Sequence, residues 1–218
     1  MDMYELVQVI LHLDQHLAEW MLLYGNWIYL ILFLIIFCET GLIVTPFLPG
    51  DSLLFALGAL TAMTEGGLSI GILSVLLVVA AFCGDNTNYY IGSKIGYRVL
   101  QWPDKPWLKK AHIRRTQEFM NDYGKMAVIL ARFAPLLRTF VPFVAGLGTM
   151  NRKIYLTYSL VGAVLWTQSF LWLGHLFGQT PFVKKNFTAL VLGVIVVSLI
   201  PAAVAFLKAR QTKPKASA

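Results

Sequence analysis

Two carboxylates and a group of helix-breaking residues interrupt an otherwise apolar part of the chain. Glu39 and Asp51 bracket the stretch Thr-Gly-Leu-Ile-Val-Thr-Pro-Phe-Leu-Pro-Gly, and apolar runs flank it at residues 27–38 and 53–63. A helix needs about 20 residues to cross a bilayer, so either run alone reaches about half-way. Together the runs predict a re-entrant helical hairpin. Its tip, around residues 46–50, should line a cavity, because lipid does not tolerate exposed backbone.

A second interpretation of the same stretch stays open. Residues 24–45 would then span the membrane fully, and Asp51 would begin a helix lying at the interface. The two interpretations differ in topology, since a hairpin returns the chain to the side from which it entered. Residue 25 and Glu65 would lie on the same side of the membrane in the first case and on opposite sides in the second.

The composition excludes an ordinary soluble domain. Of the 218 residues, 57% are hydrophobic and 13% are charged, which indicates an integral membrane domain. All 18 Lys and Arg residues lie at or after Lys94, whereas most of the 11 acids precede it. Such asymmetry is typical of membrane topology, with basic segments on the cytoplasmic side. Because the bases are dispersed among membrane segments, we do not expect nucleic-acid binding.

A second broken segment repeats the pattern of the first with basic residues. Residues 126–148 carry Arg132 and Arg138 among two prolines, and they predict a second re-entrant hairpin that enters from the cytoplasmic side. Crossing helices are expected at residues 68–93, 154–177 and 187–207. The predicted fold is therefore an all-α polytopic membrane protein with two oppositely oriented hairpins and about three transmembrane helices, an inverted repeat like that of secondary transporters.

The remaining segments are expected to lie at the membrane surface or in the cytoplasm. We predict an amphipathic interfacial helix over residues 1–24, a transport domain over residues 25–208 that includes a basic, aromatic interfacial segment at 94–125, and a basic cytoplasmic tail at 209–218. His12 and His16 share a helix face, but a polar face meeting water explains them better than a metal. No metal and no cofactor are expected.

The charged residues of the two tips form the candidate site. A charge at the bilayer centre costs from about 2.5 to more than 10 kcal/mol, so Glu39 and Asp51 are expected to face Arg132 and Arg138. Two guanidinium groups can bind a phosphate or carboxylate, and a buried acid can exchange protons. Alternatively, the four residues form two ion pairs that only hold the hairpins together. Asp85, within the helix at 68–93, either relays protons or hydrogen-bonds Asn88 or Tyr89.

Several short motifs resemble those of the DedA family, the bacterial branch of the SNARE-associated Golgi protein or VTT-domain superfamily. The matching elements are Phe37-Cys-Glu-Thr-Gly41, Pro46-Phe-Leu-Pro-Gly-Asp-Ser-Leu-Leu54, Gly84-Asp85 with Asn88-Tyr89 and Gly92, Arg132-Phe-Ala-Pro135 with Arg138-Thr139, and Val144-Ala-Gly146. They cover about residues 27–180. The resemblance implies paired re-entrant hairpins and a transporter that depends on the proton motive force. It also implies that Glu39, Asp51, Arg132 and Arg138 are essential.

Several DedA-family members are implicated in returning undecaprenyl phosphate across the cytoplasmic membrane. We therefore expect a multi-pass protein of the bacterial inner membrane, with a cytoplasmic C-terminus, that moves undecaprenyl phosphate or a related phospholipid. Arg132 and Arg138 would bind the phosphate, while Glu39, Asp51 and Asp85 would exchange protons. The expected partners are membrane lipids and protons, and the sequence leaves a homo-oligomer open.

Three other functions are weighed against this expectation. The acids could form the substrate site of a proton-coupled cation exporter, or the protein could be a structural assembly factor without transport. An enzyme, such as a lipid phosphatase, is not expected, because His112 precedes the second hairpin and His175 lies far beyond it. The chain also lacks the phosphate-binding motif GxxxxGK[ST], in agreement with coupling to a gradient.

Overall fold

The structure, a computed structural model, describes residue 25 and residues 27–42, 50–63, 68–101 and 110–180. Every regular element in these ranges is helical: α1 Trp27–Gly41, α2 Gly50–Met63, α3 Ile70–Gln101, α4 Lys110–Tyr123, α5 Ala127–Leu130, α6 Pro135–Val144 and α7 Arg152–Gly178. Short 3-10 turns over Gly124–Met126 and Ala131–Phe133 flank α5, and a π turn over Ala145–Thr149 follows α6. The predicted helix at 1–24, the crossing at 187–207 and the tail at 209–218 lie outside the described residues.

Two of these helices are long and apolar enough to cross a membrane. They contain the 27-residue spans Ile70–Gly96 and Arg152–Gly178, which agree with the crossings expected at 68–93 and 154–177. Large apolar side chains project outward from both, including Val75, which is 67% exposed. An apolar outer surface of this kind suits contact with lipid.

Helix α3 extends further than the sequence predicted. It continues to Gln101, eight residues into the segment expected to be interfacial from residue 94. Lys94 and Arg98 remain exposed on this extension, and the Lys94 ammonium lies 5.7 Å from the centre of the Tyr90 ring. Long basic side chains carry their charge away from the helix axis, so the helix continues through these charges without a break.

In the first half of the molecule the chain reverses its direction between α1 and α2, next to the middle of α3. Helix α1 runs beside α3 in the same direction: the Ser69 N–H donates to the Tyr29 hydroxyl at 3.0 Å, and Gly84 packs against the end of α1. A Cβ atom at Gly84 would lie 1.9 Å from Thr40 Oγ1, which explains the glycine at this close approach. Helix α1 therefore starts beside the beginning of α3 and reaches the middle of α3 at Gly41.

Helix α2 returns in the opposite direction along α7. Asp51 in its first turn contacts Trp166, and Thr61 near its end has its hydroxyl 2.8 Å from Nδ1 of His175. Helix α7 is antiparallel to α3, because Ser159 contacts Asp85 and Gln168 donates to the carbonyl of Ser74. Since α2 is parallel to α7, it is antiparallel to α1.

A second reversal approaches the same level of α3 from the other end. Residues 124–133 follow α7, with Ile129 against Gly162, and α6 then follows α3, with Phe143 against Gly92. Pro135 begins α6, a position that its fixed φ favours, and Ala134 before it is extended (φ −118°, ψ 109°), as a residue preceding proline prefers. The local sequence therefore explains the turn.

The core consists of two apolar clusters with the buried charges between them. One cluster joins α1 and α2 to the first half of α3 and the second half of α7. The other joins α4, α5 and α6 to Tyr155, near the start of α7. Helix α3 contributes Ala80 and Ala81 to the first cluster and Tyr89 to the margin of the second, so Asp85 lies at their boundary.

Candidate functional site

Arg138 joins the two reversals through a pair of ionic hydrogen bonds. Its Nη1 donates to Oε1 of Glu39 at 2.8 Å, and its Nη2 donates to Oδ1 of Asp51 at 2.5 Å. Its Nε donates to the backbone carbonyl of Arg132 at 3.1 Å, so all three guanidinium nitrogens are used. Glu39 and Arg138 are each only 4% exposed. In such surroundings the removal of one partner would leave a buried charge uncompensated.

Trp166 completes the environment of Arg138. The side chain is fully buried on α7, and its indole N–H donates to Oδ1 of Asp51 at 2.8 Å. Its ring centre lies 4.5 Å from Cζ of Arg138, within the range of a cation–π interaction. The tryptophan therefore holds both the acid and the base of this ion pair in position.

Local sequence explains why Glu39 and Asp51 converge. Glu39 lies in the last turn of α1, and Asp51 lies in the first turn of α2, where the helix dipole favours a negative charge. Gly50 separates the two acids in space. A Cβ atom there would lie 1.9 Å from Oε2 of Glu39, so a larger residue would displace the carboxylate.

Arg132 belongs to a second buried cluster, with Asp85 and Ser159. Its Nη2 donates to Oδ2 of Asp85 and to the backbone carbonyl of Ser159. The Ser159 hydroxyl donates to the same Asp85 oxygen at 2.8 Å, and the Tyr155 hydroxyl donates to the Asp85 backbone carbonyl at 3.1 Å. Nε and Nη1 of Arg132 and Oδ1 of Asp85 have no hydrogen-bond partner within the described part of the chain.

The pairing of charges differs from the prediction. Both acids of the first hairpin contact Arg138, whereas Arg132 pairs with Asp85. Arg132 precedes the chain reversal and packs on α7, while Arg138 follows the reversal on α6 and faces α1 and α2. Asp85 accordingly contacts Arg132 and Ser159, and neither hydrogen bond considered for it, to Asn88 or to Tyr89, is observed among its side-chain contacts.

Asn88 links the two reversals to the crossing helix. This side chain is completely buried, and its Nδ2 donates to the carbonyl of Thr40 at 3.3 Å and to the carbonyl of Thr139 at 2.8 Å. Thr40 follows Glu39 and Thr139 follows Arg138 in the sequence. One amide therefore sets the position of the backbone on both sides of the ion pair.

The five candidate residues lie in one region, where four are buried and the Asp51 side chain is 31% exposed, and their charges do not cancel when all are ionised. Glu39, Asp51 and Asp85 supply three negative charges against two positive charges from Arg132 and Arg138, a formal sum of −1. Within the described ranges, no group of three His, Cys, Asp or Glu side chains is arranged to hold a metal ion. The arrangement suits an anion that contacts the arginines and protons that neutralise the acids.

Sequence reasoning did not identify Trp166, Ser159 or Asn88 as parts of the site. Trp166 and Ser159 lie on an apolar helix, where nothing in the neighbouring residues separates them from lipid-facing positions. A general signal existed for Trp166, because a buried indole N–H requires an acceptor. Asn88 lies three residues after Asp85, and so on nearly the same face of α3.

The fold and the buried charges define a helical protein of the VTT-domain class. The VTT domain family matches residues 48–176, more than half of the chain, and the protein belongs to this family, the DedA family. Its match includes α2, α3 and the whole second reversal. The match begins at residue 48, so it includes Asp51 and leaves Glu39 outside.

The relatives of this chain are membrane proteins. It is 43% identical to Protein DedA of Escherichia coli K12 over 214 residues, 98% of each chain. It is 39% identical to an uncharacterized membrane protein of Mycobacterium tuberculosis H37Rv, over 84% of this chain and 81% of the relative. The inner membrane protein YqjA of E. coli K12 is 34% identical over 72% of this chain and 71% of its own. No solved structure gives a significant match.

Proposed function

We propose that this protein is a transporter of the bacterial inner membrane that uses the proton motive force to move a phosphate-headed lipid, with undecaprenyl phosphate as the expected substrate. The observation that carries the proposal is the ion pair of Arg138 with Glu39 and Asp51. It joins two chain reversals that approach the middle of α3 from opposite ends. This is the plan of inverted-repeat transporters, whose binding sites lie where the repeats meet.

In this proposal the reversals are re-entrant hairpins. Asp85 lies near the middle of the 27-residue apolar span Ile70–Gly96, so both tips would meet close to the bilayer midplane. Helices α1 and α2 contain 15 and 14 residues, each too short to cross at about 1.5 Å per residue. The first hairpin would open to the outside, and the second to the cytoplasm. With the further crossing expected at residues 187–207, the C-terminus would be cytoplasmic, in agreement with the bases of the tail.

The charge balance of the site supports coupling to protons. When a phosphate anion joins a set that already sums to −1, the added repulsion must be relieved in a low-dielectric environment. Protonation of Glu39, Asp51 or Asp85 relieves it and frees an arginine donor at the same time. Lipid phosphate and protons would then bind together, and a proton gradient would drive the headgroup across. No covalent chemistry is needed for this cycle, so we propose transport without an enzymatic step.

Reconstituted vesicles test the proposal. The full-length protein in proteoliposomes should move a fluorescent polyprenyl phosphate between leaflets when a pH gradient is imposed, and Arg138→Ala should abolish this movement. Arg114→Ala is the matched control, because Arg114 lies on α4 with its side chain 82% exposed. Normal flux in Arg138→Ala would refute the role assigned to the ion pair.

A second candidate, proton-coupled export of a small cation, is favoured by one observation, the excess of three carboxylates over two guanidinium groups. In that case the acids would form the substrate site and the arginines would hold them in place. Vesicles distinguish the two functions: a cation gradient would discharge an imposed pH gradient, and a lipid phosphate would not.

A further inference from the structure

The two arginines differ in how far their hydrogen-bonding capacity is used. Every guanidinium nitrogen of Arg138 donates to an acceptor, and two carboxylates surround it. Arg132 is 1% exposed and faces one carboxylate, and only its Nη2 has a partner. Its Nε and Nη1 are buried donors with no acceptor in the described ranges. Burying the donors of a cation without acceptors costs free energy of folding. Such a cost is expected where the donors bind an anion as part of the protein's function.

We propose that Arg132, and not Arg138, is the arginine that binds the phosphate group. Arg138 instead acts as a positioning residue that joins the hairpins and responds to the protonation of Glu39 and Asp51. This inference rests on the proposed transport function and deepens it, because it assigns the anion and the coupling protons to different arginines. The ligand class is a phosphate anion, either the monoester headgroup of a lipid or free phosphate.

Electrostatics around the two residues supports this division. An anion at Arg138 would have to displace Glu39 or Asp51, or share the guanidinium with both, at a site where acids already outnumber bases. An anion at Arg132 adds contacts to Nε and Nη1 without breaking the pair with Asp85. Charge-assisted hydrogen bonds to phosphate are the strong ones in proteins, so two additional donors are a substantial gain.

Gly162 packs directly against the side chain of Arg132. A Cβ atom at this position would lie 3.1 Å from Nε and 3.0 Å from Cδ of Arg132. Only a glycine therefore lets α7 approach this closely without pressing on one of the unpartnered donors. In the structure the Arg132 side chain is enclosed between α3 and α7, so the phosphate reaches it when the second hairpin, which carries Arg132, moves away from α7. Such movement is the step that alternating access requires.

Binding measurements on the full-length protein in nanodiscs test the assignment. Decyl phosphate serves as the lipid-like probe and inorganic phosphate as the free anion, both titrated by calorimetry. Arg132→Lys keeps the positive charge facing Asp85 but removes the guanidinium donors, so the dissociation constant for phosphate should rise about tenfold or more. Arg138→Lys should change this constant by less than about threefold while lowering proton-driven transport. Asp85→Asn should tighten binding, because it removes the negative charge that competes with the anion.

A second variant tests the assignment independently, in case Arg132→Lys does not fold. Gly162→Ala changes no charge and suits a helix, yet its methyl group meets Nε, so it should also weaken phosphate binding. Equal loss of binding in Arg138→Lys and Arg132→Lys, or unchanged binding in Asp85→Asn, would overturn the assignment while transport stands. If the wild-type protein binds neither probe, the proposed lipid-phosphate function fails as well. Tighter binding of decyl phosphate than of inorganic phosphate would identify the lipid headgroup as the source of the anion.

Discussion

Trp166 donates an indole hydrogen bond to the same Asp51 oxygen that accepts from Arg138, at 2.8 Å. The relationship crosses 115 residues of sequence and connects the beginning of α2 to the middle of α7. Because the ring also faces the guanidinium, one side chain restrains both partners of the ion pair. Trp166 is therefore a positioning residue of the proposed site.

Replacing Trp166 separates its two interactions. Trp166→Phe keeps an aromatic face for Arg138 but removes the N–H, and it should lower the free energy of unfolding by about 1 kcal/mol. Trp166→Leu removes both interactions and should cost more and lower transport further. Thermal unfolding in detergent and vesicle flux measure the two effects. Trp172→Phe is the matched control, since Trp172 is 45% exposed on the same helix. Equal behaviour of all three variants would contradict this role.

Asn88 should be sensitive even to an isosteric change. Asn88→Asp replaces a double donor by a carboxylate that faces the carbonyls of Thr40 and Thr139, so stability and flux should both fall. Asn88→Ala loses both hydrogen bonds and should cost about 2–4 kcal/mol.

Asn86→Ala is the control for Asn88. Asn86 lies on the same helix but donates only to the carbonyl of Phe82, one turn earlier. It should reduce stability and flux far less than either Asn88 variant. An Asn86 effect as large as that of Asn88 would mean that the link between the hairpins is unimportant.

A charge exchange distinguishes transport from a purely structural role. In the double variant Glu39→Arg with Arg138→Glu, an ion pair can form with the opposite polarity, so a protein that needs only the contact would keep its stability and its cellular function. We expect the fold to survive and flux to fall at least tenfold, because the proton-exchanging acid then belongs to the wrong hairpin. Full complementation by the double variant would favour the structural assembly factor.

Cysteine accessibility tests the first hairpin directly. In a background without the free thiols of Cys38 and Cys83, Trp27→Cys and Ser69→Cys should react with a membrane-impermeant maleimide from the same side. Arg98→Cys, at the far end of α3, should react from the other side. Opposite labelling of positions 27 and 69 would support the full crossing of residues 24–45 instead.

The sequence predicted the two long apolar helices of the described ranges, because hydrophobicity and length act locally. Two long apolar spans and two segments broken by Gly and Pro could be identified without any contact information, and the crossings agree with α3 and α7. Helix α3 continues eight residues past the crossing expected at 68–93, because long basic side chains such as those of Lys94 and Arg98 can remain on a helix. Whether the hairpins turn back within a bilayer remains a prediction.

The structure brings together the five charged residues that the sequence singled out, but it pairs them differently from the prediction. Glu39, Asp51, Asp85, Arg132 and Arg138 were identified because charges in an apolar chain are few and need partners. Which acid meets which arginine depends on how the second reversal packs against α1, α2 and α3, and hydropathy carries no information about that packing.

By itself, the sequence determined that this chain is an apolar, helical membrane protein with two broken segments of opposite charge, because composition and periodicity are properties of each segment alone. Only the tertiary structure decided that Arg138 is held by two acids and Trp166, and that Arg132 is left with Asp85 and two unmatched donors. The physical reason is that a buried ion pair forms only between charged groups whose distance and orientation in three dimensions allow it. Residues separated by 47 to 115 positions in sequence meet here, and local patterns do not encode those distances.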